Sequence, residues 1–442
     1  MKLVYGVSDK PSFGKLLVFA LQQLLAILAA TIAVPAIIGN GMSHSAALFG
    51  AGVGTIVYLL FTKFKSPVFL GSSFAFIGSM FAAFAGSVSL ASGYAGLILG
   101  AAFAGLVYVI LAIIVKFAGV KWINKLMPPV VIGPTVALIG LSLAGAAISD
   151  LQVGKVLVDG ASVASPYVCI ICGLVTLAVV IICSVYGKNM IKLIPFIIGI
   201  VAGYALAAIL TLIGINTGNQ ALMIIDFSAF NNMQWYPDFT FVQALKGIKE
   251  IDAAYIATVA VAYIPVAFVV FAEHIADHKN LSTIIGTELL EEPGLHRTLL
   301  GDGIGSVAGA IFGGCPNTTY GESVGCVAIT GNASVITILT TAIIAIVASF
   351  IAPFVTFLAT IPNCVMGGVC ISLYGFIAVS GLKMIQSVNL GENKNLFVVA
   401  VILITGIGGL SLTFGQITIT SIACALILGI LTNILVSKAK EQ

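Results

Sequence analysis

The chain of 442 residues is 60% hydrophobic and only 8% charged, with a mean hydropathy of +1.17. That composition excludes a soluble globular protein, and a net charge of +3 gives no reason to expect a nucleic-acid partner. The eight cysteines fall in or beside apolar runs without the loop spacing of a disulfide framework. Cys169 and Cys172, a lone CxxC inside such a run, read as small buried hydrophobes.

Apolar runs of roughly 20 residues, enough to cross a bilayer, recur along the chain. About fourteen are expected, near 14–38, 45–62, 68–87, 92–115, 127–148, 164–185 and 191–214, then 252–276, 297–313, 318–331, 333–351, 361–382, 395–412 and 416–436. The first run is too long for the core of a cleavable signal, so none is expected. With both termini cytoplasmic, Lys2, Lys10, Lys15, Lys63, Lys65, Lys116, Lys121, Lys125, Lys188, Lys192, Lys279, Arg297, Lys383, Lys394, Lys438 and Lys440 fall inside. Lys155, Lys246 and Lys249 fall outside, which is the asymmetry the positive-inside rule requires. Residues 149–165 and 216–251 are then the long outer loops, the second carrying FVQALKGIKEI as an interfacial helix.

The third and tenth segments are interrupted, by Ser66-Pro67 with Gly71–Ala75 and by Pro316–Gly321. Glycine, proline and hydroxyl residues at these places predict short extended pieces that each open a half-helix. Such backbone is tolerated at membrane depth only beside protein or a wet cavity. Pro128-Pro129-Val130-Val131-Ile132-Gly133 and Pro362-Asn363-Cys364-Val365-Met366-Gly367 repeat proline, valine and glycine at matching offsets. An all-α membrane fold of seven plus seven segments follows, an inverted repeat with a central site.

Four carboxylates lie inside apolar sequence: Glu273, Asp277, Asp302 and Glu322. Unless paired, protonated or hydrated, such groups cost several kcal/mol and mark function. Glu273 and Asp277 stand at i and i+4, hence on one face, and two carboxylates there can share a proton. Asp277 otherwise reads as a helix-end charge beside Lys279, and His278 as the watered end of that helix, with His274 on the adjoining face. These histidines lack the HExxH order, so no metal and no enzyme chemistry is expected. Glu322 sits where a half-helix begins and its free N–H groups favour negative charge. Asp302, in LLGDGIGS, reads as a helix brace. Carboxylates that accept, backbone N–H groups near Phe74 and Gly321 that donate, and a ring from Phe74 or Tyr320 suit a planar molecule with alternating N–H and C=O groups. A free anion would be repelled.

GSSFAF (71–76), AEHI (272–275), PGLHR (293–297) and FGG-x-PNTTYGE (312–322) together resemble the nucleobase–ascorbate transporter family, and within it the bacterial uracil permeases. The likeness runs over essentially the whole chain. It implies a core domain (14–118 and 252–351), a gate domain (127–215 and 361–437) and proton-coupled import of a pyrimidine, uracil, by alternating access. No cofactor is implied beyond the coupling proton. Carried over position by position, Glu273 and Glu322 hold the ring edge, Phe74 contacts it, and Gly321, Tyr320 and Ala30 line the pocket. Proton coupling falls to Glu273 and Asp277, with Asp302, Ser323 and His274 in support. Purine carriers resemble one another in having glutamine where Glu322 stands, which leaves a xanthine or other purine permease as the alternative. An anion exchanger of the same architecture is the more distant one. Two departures stand out: Ser323 where asparagine is usual, and Asp277 where a histidine is usual. The resemblance further implies the cell membrane, a lipid environment and a homodimer through the gate.

Overall fold

The computed structural model describes residues 3–119, 128–158, 161–188, 190–414 and 417–437. Lys2, Lys121, Lys125, Lys438, Lys440 and the start of the fifth expected segment lie outside them. In chain order the elements are α1 (Phe13–Ile38), α2 (His44–Phe61), β1 (Leu70–Ser72), α3 (Ile77–Ala85), α4 (Leu90–Ala118), α5 (Pro129–Ser142) and α6 (Ala144–Asp150). The hairpin β2 (Leu157–Val158) and β3 (Ala161–Ser162) precedes α7 (Pro166–Tyr186), α8 (Pro195–Thr217) and α9 (Thr240–Gly247). Next come α10 (Ala253–Ile285), α11 (Leu295–Gly313), β4 (Asn317–Thr319), α12 (Gly321–Thr330), α13 (Val335–Ala348) and α14 (Ala352–Thr360). The chain continues through α15 (Asn363–Ile385), α16 (Asn393–Ile407), the hairpin β5 (Leu412–Phe414) and β6 (Ile417–Ile419), and α17 (Ser421–Val436).

Among the described residues eight helices are long and apolar enough to cross a membrane, and α13 with α14 passes only as a pair bent by 84°. A multi-pass membrane protein is therefore what this chain is; the shorter α16 and α17 and the two strand–half-helix units do not meet that measure alone. Helix α10 runs nine residues past the expected boundary at 276, and its two histidines are held by neighbouring helices, His274 by Asp302 and Thr298 and His278 by Tyr58. The loop 149–165 contains a hairpin, and FVQALKGIKEI is α-helical to Gly247 and 3-10 helical from Ile248 to Glu250; Gly247 sits so close to the backbone of Ala91 and Ser92 that no side chain fits.

Small residues let helices touch backbone to backbone, the favoured packing where no water drives association. A Cβ on Gly50 would strike the backbone of Gly309, and one on Gly313 that of Ala46 and Ala47, so α2 and α11 cross without intervening side chains. The same holds where Gly140 meets Tyr374 and Ala378, and Gly381 meets Gly133 and Ala137, joining α5 to α15. Both α5 and α15 begin directly after an extended proline, Pro128 and Pro362, whose ψ of 165° and 148° sets the first turn. Loops expected on one side meet one another: Lys65 pairs with Glu292, while Lys155 N donates to Ile224 O (2.7 Å) and Ser165 N to Ala221 O (2.8 Å).

Candidate functional site

The two interrupted segments pair with each other. Strands β1 and β4 run antiparallel in the register Leu70↔Thr319, Gly71↔Thr318 and Ser72↔Asn317. Outside that ladder Ser73 N donates to Pro316 O (2.9 Å) and Tyr320 N to Phe69 O (3.2 Å). Antiparallel pairing thus satisfies the irregular backbone that a membrane interior would otherwise penalise. Two left-handed glycines, Gly314 (φ 75°) and Gly331 (φ 66°), end α11 and α12 and bracket the insertion. Half-helices α3 and α12 start at Ile77 and Gly321, directly beyond the ladder, and the first N–H groups of any helix lack an intrahelical partner.

Side chains from behind lock the ladder in place. Leu70 N donates to Thr55 Oγ1 (2.9 Å), whose hydroxyl donates to Ala51 O (2.8 Å). Asn317 Nδ2 donates to Gly50 O (3.0 Å) and fills the space left by Gly54 and Gly309. Tyr320 Oη donates to Ser72 O (2.8 Å), and its ring lies against Gly71, where a Cβ would overlap it. Ser323 Oγ accepts from Phe69 N (2.9 Å) and from Gln23 Nε2, joining α1, the strand and α12. The hydroxyl of Ser323 therefore makes a bracing contact without the usual asparagine.

In front of the ladder is a cavity of 380 Å³. One wall is formed by Ser73, Phe74, Ala75, Thr318, Thr319, Tyr320, Gly321 and Glu322, together with Glu273, Ala276 and Asp277 of α10. Glu273, Asp277 and Glu322 are half-buried there, and Thr319 Oγ1 donates to Asp277 Oδ2 (3.0 Å). The facing wall is Val136 and Ile139 of α5, Phe196 of α8, and Leu373, Phe376, Ile377, Ser380 and Met384 of α15. No lysine, arginine or histidine is among these lining residues. Three carboxylates can accept from one edge of a flat polar ligand, and N–H groups at the start of α12 can donate to it. Among the described residues no group of three His, Cys, Asp or Glu is placed to hold a metal ion.

Most of the residues read from the sequence converge on this cavity, and five stand apart, Ser323 behind the ladder among them. Ala30 is buried within α1 and absent from the wall. His274 points away from it, with Nδ1 on Asp302 Oδ2 (2.8 Å) and Nε2 on Thr298 Oγ1 (2.9 Å). Asp302 is accordingly a partner of α10 inside α11, with its Oδ1 unpartnered. The expectation that His278 ends its helix in water is wrong: the side chain is buried, because Nδ1 reaches His274 O (2.8 Å) and Nε2 meets Tyr58 Oη (2.7 Å). Asp277, one residue earlier, faces the cavity rather than bulk water. Of the two rings considered for stacking, Tyr320 is committed to β1, while half-buried Phe74 faces the cavity and meets Tyr374 edge-on at 6.0 Å.

Sequence reasoning missed Thr319 and the whole apolar wall. Positions 373, 376, 377, 380 and 384 are nevertheless a helical stripe by spacing, so the face was readable once a partner for it was known.

A family model, Xan_ur_permease, described as a permease family, matches residues 14–414. The uracil permease of Bacillus caldolyticus is 39% identical over 98% of this chain and 95% of its own length. That of Bacillus subtilis is 35% identical over 100% and 97%, and that of Escherichia coli K12 is 34% identical over 96% and 92%. Among solved structures, the transmembrane domain of a cyanobacterial bicarbonate transporter, BicA, superposes with a TM-score of 0.61 at 16% identity, covering 97% of this chain and all of that one. The murine Slc26a9 anion transporter, in an inward-facing state, gives a TM-score of 0.66 at 11% identity over 97% and 69%. These two likenesses establish a transporter fold and nothing about the ligand. The chain belongs to the permease family of nucleobase–ascorbate transporters, which are carriers and not enzymes.

Proposed function

We propose that the protein imports uracil, or a closely related pyrimidine nucleobase, together with protons by alternating access. The observation that carries this reading is the single wall on which Glu273, Asp277, Glu322 and the start of α12 meet. Uracil presents two N–H donors and two carbonyl acceptors around a flat ring; the carboxylates take the donors, and the N–H groups of the half-helix take a carbonyl. Phe74 covers one face of the ring. The relatives above, each named a uracil permease, support the choice of ligand.

In this proposal the fourteen segments form two inverted sets of seven. The core (14–118 and 252–351) carries the polar wall, and the gate (127–215 and 361–437) carries the apolar one. The cavity at their boundary is what alternating access requires, since sliding the polar wall past the apolar one exposes it to either side. Glu273 and Asp277 carry the coupling proton. The protein would lie in the cell membrane with both termini cytoplasmic, dimerising through its gate. An anion exchanger shares the fold, but three carboxylates at the cavity are the wrong charge for its ligand.

Uptake of radiolabelled uracil into proteoliposomes, with and without an inward proton gradient and with xanthine as competitor, tests the proposal. Gradient-stimulated uptake indifferent to xanthine is expected. Uptake blind to the gradient would remove the proton, and absence of uracil uptake would remove the ligand.

A further inference from the structure

We infer that Thr319 governs the charge state of Asp277 and thereby the pH range over which the carrier works. The inference rests on the proposed role of Asp277 in proton coupling. Thr319 closes β4 and is held on both sides. Its main chain pairs opposite Leu70, which Thr55 anchors, and the next N–H, of Tyr320, is taken by Phe69 O. The hydroxyl thus projects from a fixed mount, and it donates to Asp277 Oδ2 at 3.0 Å.

The surroundings of Asp277 give this one hydrogen bond unusual weight. Glu273 lies one turn away on α10, Glu322 opens α12, and Asp302 lies on α11. Further titratable groups around it are the Tyr58 and Tyr108 hydroxyls of α2 and α4, His278, which is engaged with Tyr58, and Tyr320 after β4, whose hydroxyl donates to Ser72 O. None of the lining residues is a cation. An ionised Asp277 therefore sees negative or neutral neighbours and one hydroxyl aimed at it, and a donor to the charged form favours that form. Once protonated, Asp277 can donate to Thr319 Oγ1 instead, since a hydroxyl both gives and accepts. Strand register does not need this side chain, because the ladder is made by main-chain groups.

Thr319→Val keeps the branched shape of a strand residue and removes the hydroxyl; Thr319→Ser keeps the hydroxyl. Gradient-driven uracil uptake by both variants and the parent is followed against external pH. Without the donor, Asp277 stays loaded with its proton to higher pH, so the alkaline limb of the Thr319→Val profile moves up by about one pH unit. That shift is expected whatever happens to the maximal rate, and Thr319→Ser returns the limb to its parental place. A Thr319→Val profile that keeps the parental midpoint at a reduced rate would overturn the inference and leave Thr319 a packing residue. A parental profile without any pH dependence would overturn the coupling proposal and this inference with it. If Thr319→Val does not fold, Thr319→Cys, whose thiol is a weak donor, makes the same comparison.

Discussion

The two walls of the cavity are built on opposite plans. One side concentrates three carboxylates, the Thr319 hydroxyl and the start of a half-helix around a pair of three-residue strands. The facing side presents Val136, Ile139, Phe196, Leu373, Phe376, Ile377 and Met384, with Ser380 the one hydroxyl among them. Polar groups at membrane depth must be held in fixed hydrogen bonds, whereas an apolar surface can slide without leaving anything unsatisfied. In the proposed function this contrast assigns recognition and movement to different faces: one wall reads the ligand, and the other shields it and moves past.

The comparison can be broken most directly at Glu322. Glu322→Gln replaces an ionic acceptor by a neutral amide; a charged hydrogen bond contributes about 1.5–3 kcal/mol, so uracil binding should weaken roughly 10- to 100-fold. An unchanged dissociation constant by titration calorimetry would mean that the polar wall is not the reader. Behind that wall, Tyr58→Phe removes the nearer partner of the buried Nε2 of His278 and leaves it only Ser66 Oγ at 3.4 Å, which should cost about 1–3 kcal/mol of stability. Thermal unfolding in detergent checks this, and an unaltered midpoint would show the network behind α10 to be dispensable. Asp277→Asn removes a titratable group while conserving shape, so the pH dependence of uptake should change with equilibrium binding little altered. A parental pH profile in that variant would make Asp277 a bystander. The smallest effect is expected across the cavity, where Ser380→Ala should leave uracil affinity within about twofold, inside the range of a surface-like substitution. A tenfold loss there would show that the gate also holds the ligand.

Much of the polar wall was legible because its residues conflict with their surroundings. A carboxylate in AFVVFAEHIADH, or PNTTYGE after an apolar helix, has no structural reason to be there without a site. The spacing of Glu273 and Asp277 placed them on one face, where the structure has them. What could not be read was who pairs with whom. Three-residue strands paired across 249 positions, Leu70 with Thr319, carry no sequence mark of their register. His278 looked watered because Lys279 follows it, yet its partners come from Tyr58 and Ser66, more than two hundred residues away. The apolar wall was invisible for the opposite reason: in a chain this hydrophobic, a stripe of Leu, Phe, Ile and Met signals nothing by itself.

The paired strands carry a consequence for how far such a carrier can be retuned. Main-chain groups of β1 and β4 are taken by each other and, at Leu70 N, by Thr55, so in the proposed binding mode the backbone donors left for a ligand are those that open α12. The donor edge of a ligand is then met by carboxylate side chains, which substitution can exchange. Its acceptor edge is met by peptide N–H groups, which no substitution short of proline removes. On that proposal half of the recognition is open to selection and half is fixed by the fold, so changed preferences are to be sought among ligands that keep the carbonyl and vary the N–H.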